Sequence, residues 1–110
     1  MYTVKGSIWI EGNDGTFIGY GRALLLEGIK KHGSIAEAAK SMQMSYRQAW
    51  ELIDNMNKQS NKSLVEKLTG GVGGGGTKLT KEGEEALNCF WELHNKFKKF
   101  NTAATKKLKF

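Results

Sequence analysis

Residues 34–57, SIAEAAKSMQMSYRQAWELIDNMN, and residues 64–83, LVEKLTGGVGGGGTKLTKEG, decide the fold of this chain. The first stretch holds two short amphipathic helices, each preceded by a serine that can accept a hydrogen bond from the first helical turn. The second holds two short β-segments around a glycine-rich loop, followed by the start of another helix. This order of elements predicts a helix-turn-helix followed by a β-hairpin wing.

The first helix of the pair opens with a capping box, in which Ser34 and Glu37 can each bond to the other residue's backbone N–H. Its apolar positions recur at i, i+3, i+4 and i+7, namely Ile35, Ala38, Ala39 and Met42. Residues 42–44 form the turn, and Ser45 caps the second helix. The short connection predicts that the two helices pack against each other.

The second helix has one apolar and one polar face. The apolar positions are Ala49, Leu52, Ile53 and Met56, and the polar positions are Arg47, Gln48, Glu51, Asn55 and Lys58. A helix-turn-helix reads DNA through the first turn of its second helix, where Arg can bond to guanine and Gln to adenine. The candidate contacts with the DNA are therefore Ser45, Tyr46, Arg47 and Gln48, together with Ser34. The alternative, an ordinary solvated helix face, is less favoured because a wing follows directly.

The wing is predicted from strands at residues 64–68 and 78–80, joined by the glycine-rich residues 69–77. The loop contains GxGxxG, but a dinucleotide site needs a helix directly after the glycines. A loop without side chains lets backbone amides approach phosphates closely. The candidate contacts with the DNA backbone are Lys67, Thr69, Gly70, Gly71, Thr77 and Lys78. The alternative is a loose hairpin tip.

The flanking segments predict a single domain that is mainly α with small β-hairpins. Residues 2–11 alternate between apolar and polar, which is typical of a strand, and residues 16–18 can return as a second strand. A helix at residues 21–32 ends at Gly33, and a long helix starts near Thr80. The domain divides into an N-terminal hairpin (1–19), a three-helix core with the helix-turn-helix (20–62), the wing (63–80) and a C-terminal helix (81–110).

The C-terminal helix carries an apolar stripe that is rich in aromatic residues and must be buried somewhere. It either packs on its own domain or pairs with a second copy of the chain. The candidate dimerisation residues are Leu87, Phe90, Trp91, Leu93, Phe97 and Phe100. Cys89 lies among these apolar residues, and we expect it in the core rather than as a nucleophile.

Composition narrows the possible functions. The net charge is +6, and the whole surplus lies in residues 93–110, which contain six lysines and no acid. This balance is compatible with a polyanionic partner. Because the chain has a single cysteine, it cannot form an internal disulfide. It also has no apolar run long enough to span a membrane, and we therefore expect a cytoplasmic protein. Because His32 and His94 have no partners at metal-ligand spacing, we expect neither a metal site nor an enzyme.

From residue 33 to residue 83 the chain resembles the N-terminal DNA-binding domain of the ModE-type molybdate-responsive transcription regulators, which are related to LysR-type winged helices. The segments that carry the resemblance are GSI (33–35), AAK (38–40), SYR (45–47), AW (49–50), MN (56–57), LVE (64–66), TGG (69–71), GGGG (73–76) and LT (79–80). Trp9 and GYGR at residues 19–22 are also similar. The combination of SYRQAW and TGGVGGGG is specific.

The resemblance implies that residues 45–48 enter the major groove and that the wing touches the DNA backbone or minor groove. It also implies a homodimer on a palindromic operator that regulates genes of molybdenum transport or cofactor synthesis. Full-length members carry a C-terminal oxyanion-binding region, and this chain ends at Phe110 without one. We therefore expect no cofactor and assign no molybdate or tungstate ligands. Gln43 departs from the family, whose turns often hold Gly at that position.

Two other functions stay open. The first is a protein-interaction adaptor that recruits a separate sensor protein through the aromatic stripe of the last helix. The second is a nonspecific architectural DNA-binding protein that uses the lysines of residues 96–109.

Overall fold

The structure, a computed structural model, describes residues 1–69 and 76–110 and confirms a mainly helical winged helix-turn-helix. The elements in chain order are β1 (Ile10–Gly12), β2 (Gly15–Ile18), α1 (Tyr20–His32), α2 (Ile35–Ser41), α3 (Tyr46–Gln59), β3 (Val65–Lys67), β4 (Thr77–Leu79) and α4 (Lys81–Lys106). Strand β1 pairs with β2 and β3 pairs with β4, both antiparallel. The predicted contacts Gly70 and Gly71 lie outside the described residues.

Side-chain caps begin three of the four helices, as the sequence predicts. The hydroxyl of Ser34 accepts from the N–H of Glu37 at 3.1 Å, and that of Ser45 accepts from Gln48 at 3.1 Å. Thr80 does the same for α4. Helix α1 ends at Gly33, whose φ of +70° is left-handed. In the turn between α2 and α3, Gln43 is also left-handed, with a φ of +55°.

The core lies where α1 is enclosed by α2, α3, the base of the wing and the first half of α4. Its large, completely buried side chains are Ile18, Leu25, Leu26, Ile29, Met56, Leu87 and Phe90. Helices α1 and α2 pack closely because Gly28 has no side chain: a Cβ there would lie 3.0 Å from the Cβ of Ala38. Helix α1 thus supports the helix-turn-helix on its buried side.

The N-terminal segment corrects the strand predicted for residues 2–11, because pairing begins only at Ile10. Residues 2–8, which we call the N-terminal arm, run beside the second half of α4. The backbone N–H of Val4 donates to Thr105 Oγ1 at 2.8 Å, and a Cβ on Gly6 would lie 3.0 Å from the Phe97 ring. The neighbour of the arm is thus a helix instead of a strand.

The N-terminal hairpin is attached to the rear of α3 by a small polar network. Arg22 Nη1 donates to Asn55 Oδ1 at 2.6 Å, and Gln59 Nε2 donates to the same oxygen at 2.8 Å and to the Thr16 carbonyl at 3.0 Å. Burial lowers the pKa of the Arg22 guanidinium from its ordinary value. Assigning Asn55 to the outer polar face of this helix was wrong, since these bonds draw it inward.

Helix α4 divides the predicted dimerisation residues into two groups. Leu87 and Phe90 are completely buried in the core of their own chain, so we correct their assignment to a surface between chains. Trp91 donates from Nε1 to Glu27 on α1 at 2.9 Å, and Phe97 lies under the N-terminal arm. Leu93 and Phe100 remain 41% and 63% exposed.

Cys89 is exposed, so the expectation that it lies in the core was wrong. It shares a side of α4 with Leu93 and Phe100, because the three positions follow at i, i+4 and i+11. The apolar stripe of the helix is therefore wider than the surface that its own domain covers. Within the described part of the chain, no helix is long and apolar enough to cross a membrane.

Candidate nucleic-acid interface

The first turn of α3 offers a row of exposed polar side chains. Ser45 stands at the N-terminal cap, and Tyr46, Arg47 and Gln48 follow with their side chains on the surface. The apolar positions Ala49, Ile53 and Met56 are buried against the core. This arrangement fixes the rotation of the helix about its axis and points its polar face away from the protein, as the sequence predicts.

Arg47 is a largely exposed group in this turn that can bond to a base edge. Its side chain is 89% exposed, and its Nε lies 3.1 Å from Glu51 Oε1, one helical turn further on. Exposed i,i+4 pairs contribute only a few tenths of a kcal/mol. The guanidinium can therefore leave Glu51 at small cost when a better acceptor arrives.

Trp50 is a further candidate for this interface that the sequence analysis did not include. It is 43% exposed and lies one turn beyond Tyr46, which is 51% exposed. An exposed indole on a helix face otherwise built of polar residues is a candidate for apolar contact with a thymine methyl or a sugar. The signal in the sequence was its spacing of four from Tyr46, off the row formed by Ala49 and Ile53.

A groove of about 340 Å³ separates α3 from the wing. Four of the predicted contacts line it, although the first and the last are 43 residues apart in sequence: Ser34, Tyr46, Lys67 and Thr77. The start of α2, the first turn of α3 and the outer ends of β3 and β4 thus meet at one edge of the molecule. This edge is concave and polar, with one lysine at its side.

The wing residues differ in what they offer to a ligand. Lys67 and Thr69 are exposed, and Lys78 lies 3.5 Å from Glu66 in an exposed ion pair. We correct Thr77, because it is only 8% exposed and its backbone N–H donates to the Gly33 carbonyl at 2.9 Å. Thr77 therefore holds the wing against the end of α1 instead of presenting its own side chain.

Asn57 fixes the wing relative to α3 and was also missed as a functional residue. Its Oδ1 accepts from the backbone N–H groups of Leu64 and Val65 at 2.8 and 3.2 Å, and its Nδ2 donates to the Val65 carbonyl at 3.1 Å. One side chain thus makes three hydrogen bonds to the start of β3. An asparagine at the end of a helix gives no hint of this by spacing alone.

The lysine-rich end of the chain lies far from this edge. Helix α4 starts beside the wing and has 26 residues, which corresponds to about 39 Å. Lys106 and Lys107 therefore stand about seven turns away from Thr80. These lysines and the first turn of α3 therefore lie at separate ends of the molecule.

The sequence profile of the bacterial regulatory helix-turn-helix proteins of the lysR family matches residues 23–84, more than half of the chain. The chain belongs to this family. The matched region begins within α1 and ends in the first turn of α4, so it contains the helix-turn-helix and the whole wing.

ModE regulators are similar over the same region, as the resemblance implied. The chain is 45% identical to the transcriptional regulator ModE of Yersinia pestis over 69 residues, which are 63% of this chain and 26% of the relative. It is 42% identical to the molybdenum transport protein ModE of Azotobacter vinelandii over 79 residues, or 72% and 29% of the two chains. The matches thus span less than a third of these relatives.

Solved structures with the same fold include the Staphylococcus aureus protein MepR. The A103V mutant superposes with a TM-score of 0.58 at 15% identity, covering 84% of this chain and 66% of MepR. The MepR–DNA complex gives a TM-score of 0.57 at the same identity and coverage. At this identity the likeness concerns the fold alone.

Proposed function

We propose that this chain binds duplex DNA sequence-specifically and regulates transcription. The observation that carries the proposal is the exposed first turn of α3, set beside a wing that Asn57 and Thr77 hold in place. Arg47 and Gln48 have the donors and acceptors that read guanine and adenine in the major groove. Lys67 and Lys78 stand on the wing, where sequence-independent phosphate contacts fit.

The relatives named above suggest the regulated genes. Two of them carry molybdenum transport or ModE in their names, and they are 42–45% identical to this chain over 69–79 residues. We propose operators of molybdenum transport or cofactor genes as the DNA targets. We assign no residue of this chain to molybdate binding.

A homodimer is the assembly we propose, because helix-turn-helix proteins gain affinity by binding two half-sites one helical turn apart. The surface would be the side of α4 that carries Cys89, Leu93 and Phe100. Spacings of four and seven between apolar residues are those of helices that pair along their length. Phe100, 63% exposed, would be the largest side chain removed from water.

Fluorescence anisotropy with a palindromic molybdenum-operon operator and a scrambled duplex, over a salt series, tests the DNA proposal. We expect a preference of about 10³-fold or more for the operator. Arg47→Ala should cost about 1–3 kcal/mol and reduce the discrimination between the duplexes. Lys58→Ala is the matched control, because Lys58 also pairs at i,i+4, with Asp54, but at the other end of α3.

Three outcomes would contradict the proposal in different ways. Equal, weak binding to both duplexes would favour the architectural alternative, and truncation after residue 95 would then abolish binding. No binding at low salt would favour the adaptor. Equal effects of Arg47→Ala and Lys58→Ala would remove the assignment of the first turn of α3 to base contacts.

Sedimentation velocity tests the assembly independently. Phe100→Glu should convert a dimer into a monomer, because a charge cannot be buried without a partner. Thr102→Glu is the control, since it adds the same charge on the lysine side of α4. A parent protein that sediments as a monomer at high concentration would exclude this surface as a dimer interface.

A further inference from the structure

A second groove, of about 420 Å³, lies between the N-terminal arm and the second half of α4, away from the wing. Its volume is in the range of sites that hold small organic molecules. It is lined by residues 4–8 of the arm, by the part of α4 from His94 to Asn101, and by Tyr20. None of its lining residues belongs to the candidate nucleic-acid interface.

Aromatic rings form much of the groove's surface. The ring centroids of Tyr20 and His94 are 5.3 Å apart and their planes are inclined by 33°. Phe97 lies against Gly6, and the absence of a side chain at Gly6 leaves this ring partly uncovered. Flat apolar surfaces of this kind favour a planar ligand, which can stack on the rings or meet them edge to face.

The charged groups that line the groove are both cationic. Lys5 stands on the arm and Lys98 on α4, and no acidic side chain is among the lining residues. Among the described residues neither lysine takes part in an ion pair. An anion in the groove would therefore be attracted by two lysines without having to displace a carboxylate.

We propose that this groove binds a planar aromatic carboxylate, with its ring on Tyr20, His94 and Phe97 and its carboxylate between Lys5 and Lys98. A small inorganic oxyanion would leave the aromatic surface unused. An aromatic cation would be repelled by both lysines, and a neutral aromatic molecule would gain nothing from them. The ligand would also join the arm to α4, because each supplies one of the lysines.

Isothermal titration with naphthalene-2-carboxylate tests the proposal, compared with naphthalene-2-methanol and naphthalene-2-methylammonium. These probes share one ring system and differ in charge. We expect the carboxylate to bind more tightly than the alcohol and the ammonium compound to bind least. Fluorescence of Trp91 supplies a local signal, because its ring centroid lies 5.6 Å from that of His94.

Two variants locate the site. Lys98→Met should weaken carboxylate binding about threefold, as expected for an exposed ionic contact, and leave the alcohol unchanged. Lys99→Met is the matched control, because Lys99 is the next residue but does not line the groove. Ser7→Phe should place a ring in the groove and abolish binding of both probes, and circular dichroism checks that this variant keeps its helices.

The proposal is overturned if the carboxylate does not bind, if the three probes bind alike, or if Lys99→Met weakens binding as much as Lys98→Met. A dimer that covers the groove would appear as carboxylate binding that is lost with increasing protein concentration, and this too would overturn it. None of these outcomes affects the DNA proposal, whose contacts lie at the wing edge. Operator binding is measured without the naphthalene compounds, so failure of either proposal can be distinguished from failure of the other.

Discussion

For Gly83→Ala, the sequence and the structure predict opposite effects on the free energy of unfolding. Gly83 is the third residue of α4, where replacing glycine with alanine ordinarily stabilises a helix by about 1 kcal/mol. In the fold, however, an added Cβ would lie 2.1 Å from the Leu64 carbonyl oxygen. That oxygen is backbone, and it already accepts from the Thr80 N–H at 2.9 Å.

The magnitude follows from what must move. A carbon and an oxygen atom that do not bond cannot approach closer than about 3 Å, so α4 or the start of β3 must shift by about 1 Å. Overpacking of this kind costs about 1–3 kcal/mol. Loss of the Thr80–Leu64 hydrogen bond costs about 1 kcal/mol more. After the gain in helix propensity, we expect the free energy of unfolding to fall by about 1–3 kcal/mol.

Urea denaturation followed by circular dichroism measures this change. With an ordinary m-value, the midpoint should fall by about 1 M. Gly21→Ala in α1 is the matched control, because a Cβ there meets nothing within 4 Å. That variant should be as stable as the parent or up to about 1 kcal/mol more stable. A Gly83→Ala protein that matches or exceeds the parent would refute the reasoning, since the close approach of α4 to β3 would then not exist.

Three further predictions concern the joints of the fold. Asn57→Ala should lower the free energy of unfolding by about 2–3 kcal/mol in the same assay, because it leaves backbone groups of β3 without partners; an unchanged midpoint would contradict the bonds described above. Gln43→Gly should raise it by up to about 1 kcal/mol, since relief of the left-handed strain exceeds the added freedom of the unfolded chain, whereas Gln43→Val should lower it. The hydrogen bond and charge of Glu84 raise the pKa of Lys30 above its ordinary 10.5, so the stability this exposed pair contributes is complete below that pH and is lost as pH rises past the raised pKa. Urea midpoints of the parent and Glu84→Gln should therefore differ at pH 7 and converge once the pH exceeds the raised pKa of Lys30.

The sequence was sufficient to predict those parts of the fold that depend on neighbouring residues. The helix starts could be predicted at Ser34, Ser45 and Thr80, because a cap acts within four residues. The helix end at Gly33 could be predicted for the same reason. The polar first turn of α3 was also predictable, because helical periodicity fixes which side chains share a face. These local features account for the helix-turn-helix and the base of the wing.

The predictions that were wrong concern residues whose contact partners in the fold are distant in sequence. Alternation in residues 2–11 indicates an extended backbone but cannot say that its neighbour is α4. The period of α4 indicates an apolar stripe but not how much of it the domain covers, so Leu87, expected between chains, is buried in the core, and Cys89, expected in the core, is exposed. Asn55 and Thr77 were misassigned because their polar groups bond to other elements of the fold instead of to solvent.

The bond between Val4 and Thr105 has a consequence for synthesis of the chain. Its two ends are 101 residues apart, and ribosomes add about 5–20 residues per second. The N-terminal arm therefore waits for about 5–20 s before its binding surface on α4 has been made. During that time the helix-turn-helix and wing can already fold, because all their contacts lie within residues that emerge earlier. The arm is thus translated well before the helix on which it docks, and until then its apolar side chains are those that a nascent-chain chaperone would meet.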